Sequence, residues 1–417
     1  MVKFRFQKTS QVPERFFKKR KEIQDYVRYL TNVLNEKNYE APESFLIFPQ
    51  HNIYFKDTNN FSLILLCGIG GSSLGTQAIF EALKNKKPLK EILILDSLNP
   101  LFIKKAISKA KVNKGNIALF FVSKSGKTFE SVANFFTIFK MIKKYGPKVF
   151  VISAKNSLLF HFGKRNKFFT FEIPQNLGGR YSVFSNAGIL PLSFLGVNVK
   201  ELLYGAKKAN EICLNDDPLS NPALSSAFTI FYHYQKGKNI YSNFVFPSDL
   251  EYFGKWYAQL MGESLGKDGK GITPILNVGT NDFHAIGQLY FDGPRDKLIN
   301  FIFVENLGLD FKINGLGEFS EVFSGITRTN VWEINKAIFE GVKKVYSKQK
   351  LPFTETILDK LDEQNLGFLF QMKMIEIIFL AKLMKVNAFD QPAVDLYKNA
   401  TRNILSKKRW QKLKKEA

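Results

Sequence analysis

Short, continuously apolar runs, each closed by a glycine- or hydroxyl-rich turn and followed by an amphipathic stretch, recur along most of this chain. Residues 61–67, 92–96, 117–122 and 149–153 are such runs, and 76–83 and 129–144 are amphipathic stretches that follow two of them. A strand with no polar alternation must be covered on both faces, as in a parallel sheet clothed by its crossover helices. The rhythm restarts after about residue 195. Helices are expected at 223–235, 252–265 and 285–290, and strands at 240–246, 272–278 and 298–304. Apolar spacing at Ile23, Tyr26, Val27, Leu30, Val33 and Leu34 predicts that residues 1–45 are largely helical. Long helices are expected near 331–348 and 362–385, and the chain ends in a basic helix. The predicted fold class is α/β with mainly parallel sheets. It comprises an N-terminal helical arm (1–50), two α/β units (51–195 and 196–385) and a C-terminal helical extension (386–417).

Composition narrows the function classes. With 417 residues, 45% of them hydrophobic, the chain can bury a large core, which excludes a disordered or disulfide-framed small fold. Its two cysteines, Cys67 and Cys213, are far apart, so a reducing cytoplasm is expected. The N-terminus is charged within three residues, and no stretch approaches the roughly 18 apolar residues of a membrane span. A soluble, cytoplasmic protein without a membrane partner is expected. The net charge of +23 would draw nucleic acid over long range. Fifty of the sixty basic residues are lysine, however, and they are scattered, densest at 84–90 and 407–415. A nucleic-acid binder concentrates arginine and aromatics in a patch, so the charge reads as a solvated surface and nucleic acid is not an expected partner.

Six segments could carry chemistry. Gly68-Ile69-Gly70-Gly71-Ser72-Ser73-Leu74-Gly75 follows a strand and opens a helix, where converging backbone amides suit an anion. It is not a dinucleotide fingerprint, because the third glycine position holds Ser73. Ser123-Lys124-Ser125-Gly126-Lys127-Thr128-Phe129-Glu130-Ser131 also ends a strand. Its hydroxyls and helix N-terminus form a phosphate cradle, the alternative being an elaborate helix cap. It is not a P-loop, since Phe121 stands where the first glycine should be. Two such loops on one sheet face the same crevice.

Gly178-Gly179-Arg180-Tyr181-Ser182 offers a guanidinium beside closely approachable backbone. In Gln259-Leu260-Met261-Gly262-Glu263-Ser264-Leu265-Gly266-Lys267, Gln259 and Glu263 share one helical face. His284 lies in Asn281-Asp282-Phe283-His284, and no histidine or cysteine spacing suits zinc. Finally, Gln391 precedes Pro392, a candidate helix start, with Lys398 about two turns on.

Together and in this order, the six segments resemble the phosphoglucose isomerase family in its shorter bacterial form, from about residue 60 to 402. That resemblance implies two sugar-isomerase (SIS) domains, each a three-layer αβα sandwich, and interconversion of glucose 6-phosphate and fructose 6-phosphate through a cis-enediol. By motif position, Glu263 would carry the proton between C2 and C1. His284 and Lys398 would serve ring opening, and Arg180 would stabilise the enediolate. Ser123, Lys124, Ser125, Thr128 and Ser131 would hold the phosphate, with Gly71, Ser72, Gln259 and Gln391 lining the sugar. The resemblance implies no cofactor or metal, and a homodimer in which His284 reaches the partner's site.

Three positions depart from the family pattern: Lys127 for a common threonine, Leu265 for a polar residue, and Ala393 for a frequent glycine. The competing readings are a non-catalytic SIS regulator that only binds sugar phosphate, and an isomerase that also accepts mannose 6-phosphate. Proton abstraction beside a carbonyl needs a positioned carboxylate and an electrophile at oxygen, which favours the isomerase.

Overall fold

A computed structural model of the chain describes residues 2–6, 10, 12–17, 21–51 and 58–416. β1 (Val2–Phe6) and α1 (Lys21–Asn35) precede a first α/β half. That half runs β2 (Leu63–Cys67), α2 (Leu74–Leu83), β3 (Glu91–Leu95), α3 (Pro100–Val112), β4 (Ile117–Val122), α4 (Phe129–Ile142), β5 (Lys148–Ser153), α5 (Leu158–Arg165), β6 (Phe169–Glu172) and α6 (Asn186–Leu195). The second half runs α7 (Val199–Cys213), α8 (Pro222–Gln235), β7 (Ile240–Val245), α9 (Glu251–Leu265), β8 (Thr273–Val278), α10 (Gly279–Asp292), β9 (Lys297–Asn306), α11 (Val331–Lys348), β10 (Phe353–Lys360) and α12 (Glu363–Met384). α13 (Val394–Glu416) closes the chain.

The first sheet has the order β3-β2-β4-β5-β6, all parallel. The second has the order β1-β10-β9-β7-β8, parallel except for β1. Alternate residues of one strand serve opposite faces. Ile64, Leu66, Ala118 and Phe120 join a central core that continues into the second half, whereas Leu63, Leu65, Leu119 and Phe121 pack outward beneath α3 and α4. In β9, Leu298, Ile302 and Val304 face the same central core, and Ile299, Phe301 and Phe303 face an outer one. Both sheets are therefore covered on both sides, as continuous apolar strands require.

Helix α12 is the centre of the molecule, apolar almost all round and buried along nearly its whole length. Its approach to α7 depends on two glycines. A Cβ on Gly205 would sit 1.9 Å from the Gln364 carbonyl oxygen, and one on Gly367 would sit 1.9 Å from that of Leu202. No helix among the described residues is long and apolar enough to cross a membrane.

The N-terminal arm departs from the helical expectation. Val2–Phe6 is a strand, antiparallel to β10 and aligned Val2 to Leu358, so the start of the chain completes the second sheet. Its residues alternate: Val2 is buried, Lys3 and Arg5 are exposed, and such a strand suits a sheet edge. Pro392 likewise does not start a helix; α13 begins at Val394, leaving Gln391 in the preceding loop.

Candidate active site

β2 and β4 are neighbours with Cys67 opposite Phe121, so the loops 68–75 and 123–131 leave the sheet side by side. In the second loop, Ser123 Oγ accepts the Gly126 N–H at 3.2 Å and Ser125 Oγ accepts that of Lys127 at 3.2 Å. Ser153 Oγ donates to the Ser123 carbonyl at 2.7 Å. Thr128 is the N-cap of α4, yet its side chain bonds no amide of the first turn. It lies 3.4 Å from Ser123 Oγ. Ser131 Oγ is buried without a partner among the described residues. The start of a 14-residue helix thus keeps its amides uncapped by side chain, as an anion site needs and a structural cap does not. Lys124 Nζ donates to the Gln175 carbonyl at 3.1 Å. Burial holds this ammonium below the usual lysine range, and the charge of Arg180 lowers it further. Lys127 is exposed.

The first loop positions the second half of the site. Gly70 has φ +56°, a conformation that glycine adopts freely. A Cβ there would come within 2.8 Å of Gln259 Nε2. A Cβ on Gly71 would lie 2.1 Å from the Gly179 carbonyl carbon and 2.5 Å from the Arg180 nitrogen. Ser182 Oγ bonds the Gly71 carbonyl at 3.2 Å, closing that contact. Ser72 lies in the same short 3-10 turn, Gly70–Ser72.

Arg180 has a 1% exposed side chain and uses all five of its N–H groups. Nε donates to Ser264 Oγ at 2.9 Å. Nη1 donates to Gln391 Oε1 at 2.5 Å and to Glu263 Oε2 at 3.1 Å. Nη2 donates to the carbonyls of Ala388 at 2.6 Å and Asp390 at 3.1 Å. A charge this deep is tolerable only when paired and fully bonded. The other carboxylate oxygen of Glu263, Oε1, accepts Gln259 Nε2 at 3.0 Å. Glu263 is therefore fixed at both oxygens while its side chain remains 27% exposed. It borders an open cleft of about 730 Å³ that also reaches Gly266, Lys267, Asp390 and Gln391.

Of the residues singled out from the sequence, Arg180, Gln259, Glu263 and Gln391 meet directly, Gly71 touches Arg180, and Lys124 lies near it. Ser72 and the loop hydroxyls of Ser123, Ser125, Thr128 and Ser131 make no bond to that set among the described residues, and neither do His284 and Lys398. His284 is exposed on α10, and no bond among the described residues links it to Glu263. Lys398 is half-buried on α13, 3.7 Å from Asp395. With Gln391 outside the helix, the two-turn spacing does not relate it to Lys398.

Ser264 was missed. Its hydroxyl lies 2.9 Å from Arg180 Nε and 2.9 Å from the Tyr181 hydroxyl. Adjacency to Glu263 was its only trace in the sequence. Leu265 is buried in the central core, so this departure from the family pattern faces away from the site.

The profile of the family described as "Phosphoglucose isomerase" matches residues 55–416. A "Glucose-6-phosphate isomerase" of Methanocaldococcus jannaschii is 33% identical over 354 residues, covering 84% of this chain and 86% of that protein. One of Clostridium tetani is 32% identical over 397 residues, covering 91% and 87%. Among solved structures, a hypothetical protein of Thermus thermophilus superposes with a TM-score of 0.86 at 27% identity, covering 97% of this chain and all of that one. A glucose-6-phosphate isomerase of Chlamydia trachomatis shares the fold at a TM-score of 0.71 and 20% identity, covering 89% and 73%.

Proposed function

The chain belongs to the phosphoglucose isomerase family, and from that premise we propose how its residues carry out the reversible isomerisation of glucose 6-phosphate and fructose 6-phosphate. The observation that carries this reading is the Glu263 carboxylate, held between Gln259 and the buried Arg180 at the edge of an open cleft. Pre-orienting a base removes reorganisation from the step in which it takes a proton.

On this reading the phosphate sits on the loop 123–131. Ser123, Ser125, Thr128 and Ser131 supply hydroxyls, the first turn of α4 supplies amides, and Lys124 supplies a cation. Gly71, Ser72, Gln259 and Gln391 line the sugar. In the open-chain aldose, Glu263 takes the proton from C2, the electron pair moves toward the carbonyl, and a cis-enediolate forms. Arg180 opposes the negative charge that develops on its oxygen. The hydroxyl proton passes from O2 to O1 of the enediolate, and Glu263 then returns its own proton to C1, giving the ketose with its carbonyl at C2.

His284 and Lys398 serve ring opening in this scheme, with His284 reaching the site of a second copy in a homodimer. Its exposure on α10 supports that assignment. So do the exposed apolar side chains of Phe311, Phe319, Val322 and Phe323 between β9 and α11, which a second copy would cover. The reading also includes two SIS units divided near residues 195 and 196. It includes a cytoplasmic location, with which the free, buried Cys67 and Cys213 agree.

The test is a coupled assay that supplies fructose 6-phosphate and detects glucose 6-phosphate, with a chelator present while the isomerase acts. Chelator-resistant turnover is expected. Sugar-phosphate binding by folded protein without turnover would instead favour a regulator.

A further inference from the structure

Lys267 lies two residues past the end of α9, just after Gly266, and its side chain is 9% exposed. Its ammonium donates to the carbonyls of Glu263 at 2.9 Å and Ser264 at 2.9 Å, and also to that of Asn387. Asp390 Oδ1 lies 3.3 Å away. An ammonium has three N–H bonds, and here all three meet backbone carbonyls. Two of these belong to the last turn of α9, where carbonyls have no partner within the helix and a cation is favoured by the helix dipole. The third belongs to the loop 387–391. That loop is gripped from its other side by Arg180, through the carbonyls of Ala388 and Asp390 and the side chain of Gln391.

We propose that Lys267 is a positioning residue for the isomerisation: it ties the helix end that carries Glu263 to the loop that supplies Gln391 and anchors Arg180. Without it, the end of α9 and the loop 387–391 would be joined chiefly through the Arg180 side chain, with Lys270 donating to the Met384 carbonyl at 3.1 Å just before that loop. Both would be free to shift by the fraction of an ångström to which proton transfer is sensitive. The phosphate loop on the first sheet makes no bond to Lys267 among the described residues. The effect therefore falls on the chemical step and not on capture of the substrate. This inference rests on reading Glu263 as the base.

The experiment uses the full-length protein and a chemical rescue. Lys267→Cys removes the ammonium, and alkylation by 2-bromoethylamine restores it: the thiolate displaces bromide and forms a thioether chain of lysine length. The native Cys67 and Cys213 are both fully buried, which directs the reagent to position 267 in the folded protein. For Lys267→Cys, kcat for fructose 6-phosphate should fall roughly 10- to 100-fold while KM changes less than about threefold. Aminoethylation should recover most of the lost kcat, and capping with iodoacetamide, which adds a neutral group, should not.

A kcat within about twofold of wild type, or equal recovery with either reagent, overturns the proposal. So does a loss expressed in KM alone. If Lys267→Cys does not fold, Asp390→Asn loosens the clamp from the loop side; an unchanged kcat there overturns the proposal as well. Wild-type protein without turnover would sink the functional reading instead, so the two failures are distinguishable.

Discussion

At the scale of single residues, the site is a set of mutually fixed polar groups. Glu263→Gln keeps the shape and loses the base, so kcat should fall by about 10²- to 10⁴-fold. Sugar-phosphate binding, measured by calorimetry, should stay within a few-fold of wild type; surviving turnover would show that the base lies elsewhere. Arg180→Lys tests a different property. An ammonium cannot reproduce five donors in a planar fork, and Glu263, Ser264, Gln391 and the carbonyls of Ala388 and Asp390 would compete for three. Both Tm and kcat should drop, kcat by at least about tenfold, whereas an unchanged Tm would mean the guanidinium is not structural.

The sequence disclosed the chemistry of these residues better than their geometry. Arg180 stood out beside paired glycines, but its burial and five bonds depend on Ser264 and the loop 387–391, which are remote in sequence. Lys267 was one lysine among fifty until its carbonyl partners came into view.

At the scale of elements, legibility followed burial. β2 and β4 are buried at every position and read directly as apolar runs. β10 was passed over because its polar residues are satisfied internally. Thr354 and Thr356 bond Asn300 at 3.2 and 3.0 Å, and the wholly buried Glu355 pairs with Lys343 at 2.9 Å. β1 was lost in a charged terminus because its pairing partner lies some 350 residues away in the chain.

Close contacts between elements make sharp predictions. Gly71→Ala should separate the first loop from Gly179 and Arg180, lowering kcat and Tm together, since the clash is with backbone that cannot turn aside. Wild-type activity in that variant would contradict the loop contact.

His233 on α8 bonds the N-terminal arm, and its burial makes stability depend on pH. Its ring Nε2 bonds the Ser10 carbonyl, and Nδ1 has no partner among the described residues. Burial pushes the imidazole down to about 4, outweighing the opposing effect of the Ser10 bond. His51 shifts in the same direction, by burial first and then the charge of Lys37. Because the unfolded chain binds the proton more readily, stability is fully present above about pH 6.5 and is lost as pH falls toward 4. Thermal melts across this window should show a loss on the order of 1–3 kcal/mol from His233. His233→Gln, whose amide can still donate to Ser10, should flatten the dependence. An equally steep loss in that variant would assign it to other groups.

At the scale of the whole molecule, two sheets with a shared helical layer bring Gly70 and Arg180 of the first half against Gln259, Glu263 and Gln391 of the second. The same arrangement leaves His284 outside that set. Mixing Glu263→Gln with His284→Ala chains should restore about a quarter of wild-type activity after random exchange, one intact site per mixed dimer. No recovery after verified exchange would mean that His284 does not cross between copies. The net charge of +23 gave no guide to the site, because it counts scattered surface lysines together with buried cations such as Arg180 and Lys267.

The decisive measurement is proton NMR of glucose 6-phosphate in D₂O, following the C2 proton with wild-type protein and with Glu263→Gln at equal concentration. Wild type should wash that proton out as the sugar interconverts with fructose 6-phosphate, while Glu263→Gln should bind the sugar and leave the C2 signal intact. Exchange at the wild-type rate in Glu263→Gln would contradict the role of Glu263 as the base.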